Sequence, residues 1–317
     1  MNNSSQDSFV GIDVSGEFLD VCVLSTEEYR RFLNAPEGID ELTAFLTENR
    51  PKLVVLEATG GLETAVAAQM GSMGFPVAVV NPRHVRDFAK AVGQLAKTDR
   101  IDALILAKFA KAVRPSVQAL KDEQSQALAD LVGRRRQLVG MVASEKNRLL
   151  RARPSVVKDI RSHIAWLEKR IRQIDGDLQT AIKSTPIWRE RDKLLQSVPG
   201  VGDGCARTLI AALPELGRVD NREIAALAGV APLNCDSGKM RGRRSVWGGR
   251  AAVRAMLYMA AISAIRHNPL IRDFAERLRA RGKKPKVVIV ACMRKLLVIL
   301  NAMIRTGTPW LATTAAP

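Results

Sequence analysis

The sequence predicts a mixed α/β head followed by a mainly helical, basic body. Short apolar runs that end in an acid or a proline recur through the first hundred residues, as buried strands do. Residues 120–185 are charged, almost free of glycine and carry a heptad seam. The charge also changes sign along the chain: residues 1–96 hold seven Lys and Arg against thirteen Asp and Glu, a net −6, whereas residues 97–317 hold 42 bases against 19 acids, a net +23. Such a division separates an acidic unit from one built to meet polyanions.

Taken in order, "FVGIDVS" suits a buried strand, and "FLDVCVL" follows Gly16-Glu17 as its hairpin partner. "LVVLEATG" is a continuous apolar run ending in an acid, residues 61–73 read as a helix, and "FPVAVVNP" is a strand closed by Pro82. Two hairpin strands and a strand–helix–strand unit give a mixed sheet with helices on its faces. "KTDRIDALILAKFAKAV" reads as a helix capped by Thr98 and ended near Pro115. Beyond it, Ile160, Ile164, Leu167, Ile171, Ile174 and Leu178 step by 4, 3, 4, 3, 4, the seam of a left-handed coiled coil. Pro154 divides this region into two helices, and a helical hairpin packed on its own domain explains the seam equally well. Residues 191–317 are helical and basic, with "AAVRAMLYMAAISAI" and "PKVVIVACMRKLLVILNAMI" as buried helices. The expected organisation is residues 1–115, 116–190 and 191–317.

Composition narrows the function. A net charge of +17 at pH 7 repels itself unless a polyanion offsets it. The four cysteines, Cys22, Cys205, Cys235 and Cys292, form neither a metal-ligand spacing nor a disulfide framework, which fits a reducing cytoplasm. "MNNSSQDSFV" has no positive start and no apolar core, so no secretory signal is expected, nor a membrane span. Aromatics make up only 4% of residues, so base stacking on single strands is not the main mode of binding.

Four carboxylates stand out. Asp13 lies inside "GIDVS" and Glu57 ends "LVVLE", each flanked by apolar residues where a lone charge is costly. Asp99 and Asp102 are spaced i, i+3, which puts both on one helix face. His84, His163 and His267 are scattered, so a zinc site is not indicated. Carboxylates alone favour Mg²⁺ or Mn²⁺, and a pair of such ions can clamp both oxygens of a phosphodiester undergoing exchange. "GIDVS" also fits the first phosphate loop of actin-like sugar kinases, but the further glycine-rich nucleotide loops are missing beyond "EATGG".

The body carries two features. "VPGVG" between apolar helices looks like a helix-hairpin-helix, in which Gly200 and Gly202 would free backbone N–H groups for a phosphate; a plain glycine turn between packed helices is its rival. "NCDSGKMRGRRS" places Ser237 before Lys239, Arg241, Arg243 and Arg244, with Arg250 and Arg254 following. Arginine forks match phosphate. Serine is a poor nucleophile unaided, and the loop offers Asp236 but no histidine. On these residues alone Ser237 reads as a turn serine.

In order and spacing, "GIDVS", "LEATG", "KTDRIDA", "VPGVG", "DSG", an Arg-Gly pair and "AMLYMAA" resemble the DEDD transposases of the insertion-sequence 110 type and the related Piv-type DNA invertases, from about residue 9 to 310. The resemblance implies an RNase-H-like, RuvC-type N-terminal domain with Asp13, Glu57, Asp99 and Asp102 as a Mg²⁺-binding tetrad. It implies a dimerising coiled coil and a C-terminal transposase domain in which Ser237 forms a covalent 5′-phosphoserine link. It implies a structured guide RNA (bridge RNA) that pairs with donor and target double-stranded DNA, a homodimer or dimer of dimers, and a nucleoid-associated location. Where many members carry Ser-Lys and a lone glycine, this chain has "SVWGGR". Two other functions stay open: a metal-dependent junction endonuclease using water, and a non-catalytic nucleic-acid-binding scaffold.

Overall fold

The computed structural model describes residues 7–117, 123–234, 236–237, 240–242 and 244–311, with the backbone alone at 240 and 241. The chain divides into two compact units, Met1–Lys121 and Asp122–Pro317.

The first unit opens with an antiparallel meander of β1 (Phe9–Val14), β2 (Phe18–Val23) and β3 (Glu28–Leu33). Helix α1 (Pro36–Asn49) starts on a proline, whose fixed φ suits a first helical turn, and buries Ile39, Leu42, Phe45 and Leu46. Then come β4 (Leu53–Glu57), α2 (Glu63–Ser72), β5 (Val77–Val80), α3 (Pro82–Ala91) and α4 (Asp99–Val113). The sheet order is β3-β2-β1-β4-β5, with β4 parallel to both β1 and β5.

Strand alternation sends alternate side chains to opposite faces of the sheet. Val10, Ile12 and Val14 join the core that includes Leu42 and Leu46 of α1 and Val66 and Met70 of α2. Phe9, Leu53 and Val55 join Val85 of α3 and Leu106 and Phe109 of α4 on the other side. Burial on both faces explains why β1 and β4 read as continuous apolar runs. At Gly11 a Cβ would stand 2.3 Å from both the Ala103 carbonyl oxygen and the Ala107 nitrogen, so its absence lets α4 lie directly on β1.

The second unit begins with an antiparallel helical hairpin, α5 (Glu123–Leu149) and α6 (Pro154–Ser184). Arg135–Asp175 (2.6 Å) and Lys146–Glu168 (2.8 Å) join its arms. The heptad seam is occupied within the chain: Leu167, Ile174 and Leu178 share a core with Leu128, Leu138 and Val142 of α5. That core continues through α7 (Pro186–Gln196), α8 (Asp203–Ala212) and α9 (Asn221–Leu227). Two short ladders follow, β6 (Pro232–Leu233) with β9 (Ser245–Val246), and between them β7 (Asp236–Ser237) with β8 (Met240–Arg241). Helices α10 (Ala251–His267), α11 (Pro269–Ala280) and α12 (Pro285–Thr306) complete the unit. Helix α12 is long and apolar enough to cross a membrane. It packs on α10 and α11 and buries Cys292, Leu296, Leu297 and Leu300, as a core helix does.

Candidate active site

The register of the sheet builds the first cluster. Asp13 pairs with Asp20 across β1 and β2, and Asp20 pairs with Arg31 across β2 and β3. Ile12 aligns with Leu56, so the next position brings Glu57 beside Asp13. Cross-strand partners point to the same face, so Arg31, Asp20, Asp13 and Glu57 form one row. Helix α4 lies on that face because of Gly11, and Thr98 caps it by accepting from the Ile101 N–H at 3.3 Å. Asp99 and Asp102 occupy its first turn, where the helix dipole favours negative charge.

The acids sense one another. Burial, then Asp102, Glu57, Asp99 and Asp20, push the Asp13 carboxyl up to about 6. Burial and then Asp102 raise Glu57, with Lys97 opposing. Burial also raises Asp102, against the pull of Lys97 and Arg86. Asp99 instead pairs with Arg31 (Nη2–Oδ2 2.8 Å), and Lys97 stands 3.9 Å from Asp102. The donor set is all oxygen, which fits a hard divalent cation. Among the described residues no three acids, histidines or cysteines converge closely enough to ligate one ion with the side chains as they stand. After β4, Glu63 accepts from the Thr59 and Gly61 N–H groups, both at 2.9 Å, and fixes the turn that follows Glu57.

Asp20, Tyr29 and Arg31 were not singled out from the sequence. Asp20 is buried and accepts hydrogen bonds from the Tyr29 hydroxyl and from Arg31 Nε, the latter at 2.8 Å. An acid inside the apolar "FLDVCVL", in register with Asp13, was the available signal.

In the second unit Ser237 is exposed in the β7–β8 hairpin, opposite Met240. Asp236 is committed to that hairpin, accepting from the Gly242 N–H at 3.0 Å. Lys239, Arg243 and Cys235 lie outside the described residues, and Arg244 is exposed. Two arginines of the expected phosphate clamp are bonded within the protein. Arg250 forks onto Glu215 at 2.5 and 2.6 Å and donates to the Ala212 carbonyl at 3.0 Å. Arg254 donates to the Gly248 carbonyl. The second glycine of "SVWGGR" has a steric reason, because a Cβ on Gly249 would stand 2.2 Å from the Gly229 nitrogen, whereas Gly248 has φ +75° and open space.

In the turn between α7 and α8, Gly200 has φ +100° and a Cβ there would lie 2.5 Å from Ala264 of α10, so Gly200 is a packing glycine. Gly202 differs: it precedes α8 and the space a Cβ would enter is open. A cavity of about 450 Å³ lies beside α8, lined by Arg135, Arg172 and Arg207. Asp175 answers Arg135 at 2.6 Å, and Asp203 answers Arg207 at 2.9 Å. The described cysteines, Cys22, Cys205 and Cys292, are free and buried, and burial raises each thiol, so none is an activated nucleophile.

Comparison with known proteins places both clusters. Residues 10–152 match the IS110-type DEDD transposase model, and residues 192–276 match the transposase IS116/IS110/IS902 family. The pilin gene-inverting protein of Moraxella bovis is 28% identical over 313 residues, covering 96% of this chain and 97% of that one. Its namesake in Moraxella lacunata is 28% identical over the same extent. The insertion element IS110 uncharacterized 43.6 kDa protein of Streptomyces coelicolor is 25% identical over 155 residues, 48% of this chain and 37% of that one. With the acid row inside the first matched stretch and the serine hairpin inside the second, the chain belongs to the IS110-type transposases and is a DNA-recombining enzyme.

Proposed function

We propose that this enzyme cuts and rejoins DNA strands through a phosphoserine link at Ser237, supported by divalent cations held at Asp13, Glu57, Asp99 and Asp102. The observation that carries the reading is the placing of acids from β1, β4 and α4 on one sheet face, with Asp13 pushed up to about 6 by burial and then by its acidic neighbours. Bound Mg²⁺ or Mn²⁺ would supply Lewis acidity at the phosphodiester. The central strand carrying Asp13 and the mixed five-stranded order support the RNase-H-like reading of this unit.

Ser237 Oγ attacks the scissile phosphorus and forms the O–P bond while the bond to the 3′ oxygen breaks. The Oγ proton passes to a base, and the departing 3′ oxygen takes up a proton and leaves as a 3′-hydroxyl. A 3′-hydroxyl of the partner strand then attacks the phosphoserine and releases Ser237, so no phosphodiester energy is lost and no nucleotide is consumed. Among the described residues of its hairpin, Asp236 accepts from the Gly242 N–H at 3.0 Å, and the base for Ser237 is assigned to the acid cluster. Arg244 and the backbone N–H groups next to Gly202 would hold phosphates along the strand. A guide RNA pairing with donor and target DNA, and two or four subunits, belong to the same proposal, as does cytoplasmic action at the nucleoid. Inversion of a DNA segment, the activity named for the Moraxella relatives, is one outcome of such exchange.

A second reading has an observation in its favour: among the described residues Ser237 has no hydrogen-bonded base, as would be expected if water were the nucleophile. Ser237→Ala separates the two. Strand transfer and the protein–DNA adduct should vanish, with metal binding retained. Hydrolytic cleavage that survives in Ser237→Ala would establish the nuclease instead.

A further inference from the structure

We propose that Arg31 is a positioning residue for the acid cluster: anchored on buried Asp20, it holds the Asp99 carboxylate until a divalent cation competes for it. The proposal rests on the reading that these acids bind metal.

The two ends of Arg31 are held unequally. Its Nε donates to Asp20 at 2.8 Å, and the Asp20 side chain is only 3% exposed. The Tyr29 hydroxyl donates to the same Asp20 oxygen, and the guanidinium lies 4.9 Å from the centre of the Phe18 ring. Releasing Arg31 from that end would leave a buried carboxylate without its cation, which is costly. At the other end Nη2 reaches Asp99 at 2.8 Å, but the Asp99 side chain is 64% exposed. An exposed pair of this kind amounts to about a two- to five-fold preference and is readily exchanged. When a cation competes, the Asp99 end lets go and Arg31 stays on Asp20.

The rest of the cluster agrees. Asp13 feels Asp102 and Glu57 more strongly than Asp99, and Glu57 feels Asp102. Asp99, bonded to Arg31 at 2.8 Å, lies in the same first turn of α4 as Asp102. Arg31 also stands in the cross-strand row with Asp20 and Asp13, so it sits where an edge strand can neutralise one end of a line of acids.

The test is Mn²⁺ binding by the full chain without nucleic acid, read from the electron paramagnetic resonance of free Mn²⁺. The double variant Asp20→Asn/Arg31→Met removes one charge of each sign and leaves no buried carboxylate alone. It should bind Mn²⁺ about two- to five-fold more tightly than the parent, and adding Asp99→Asn should remove the gain. Equal or weaker binding by the double variant would overturn the proposal. Should that variant fail to fold, Arg31→Lys serves, because one ammonium cannot span both Asp20 and Asp99; the same two outcomes apply. Asp13→Asn reports on the underlying reading separately. If it binds Mn²⁺ as the parent does, the acids are not the metal site and the proposal falls with that reading.

Discussion

Half-buried Asp13 carries a pH dependence of stability. Its folded-state value of about 6 lies above the usual 3.8. The folded unit therefore keeps a proton that the unfolded chain has already released between these values. The associated stability is fully present below about pH 4 and is lost as pH rises through 6. Asp13→Asn should consequently be more stable than the parent at pH 7 by about 1–2 kcal/mol, after discounting for solvent screening. Thermal melts at pH 4 and pH 7 check this, and a gain of the same size at both would contradict it. Arg250 gives a contrasting prediction. Its bidentate pair with Glu215 is structural, so Arg250→Ala should cost about 1–3 kcal/mol in a denaturant melt while DNA affinity changes less than for Arg244→Ala.

Among the elements, close approaches decide more than propensity does. Gly11→Ala would force a Cβ into the backbone of α4, at a cost of about 1–3 kcal/mol, and would lift Asp99 and Asp102 away from the sheet. A circular-dichroism melt should show that loss, and Mn²⁺ affinity should fall with it. The turn after α7 offers a matched pair. Gly200→Ala meets both a positive φ and the backbone of Ala264, whereas Gly202→Ala enters open space and costs at most about 1 kcal/mol as a poorer cap. If the start of α8 touches DNA phosphate, Gly202→Ala should weaken binding more than it weakens the fold. The same contrast shows what the sequence could reveal. Strands β1, β2, β4 and β5 and helix α4 were legible because both-sided burial and a threonine cap leave local marks. Strand β3 was not, because Arg30, Arg31 and Glu28 make it look like a loop; charge is how an edge strand resists further pairing. The ladders around Ser237 escaped notice because two-residue strands have no period to detect. The heptad seam was visible, but whether its partner was α5 or another chain depends on tertiary packing, which a period of 3.5 does not encode. At the site, the four acids stood out as charges in apolar or capped positions, while Arg31 became visible only when the strands were paired.

For the whole molecule, the uneven charge is the dominant physical fact. The net charge is −6 over residues 1–96 and +23 over residues 97–317, so most of the cationic charge that can meet a polyanion lies in the second stretch. Binding to DNA or RNA should therefore depend steeply on salt, falling about a thousandfold or more between 50 and 200 mM if at least six phosphates are contacted. Fluorescence anisotropy across that range measures the slope, and a flat response would show that the basic body does not track the backbone. Both units must act on one phosphodiester for the acids and Ser237 to belong to a single reaction. The direct measurement is to trap the protein on its DNA with Mg²⁺ and its co-purified RNA, and to map the linked residue by mass spectrometry. The account predicts one adduct, a 5′-phosphate on Ser237, absent in Asp13→Asn. A link to any other residue, or recombined DNA with no adduct at all, would contradict it.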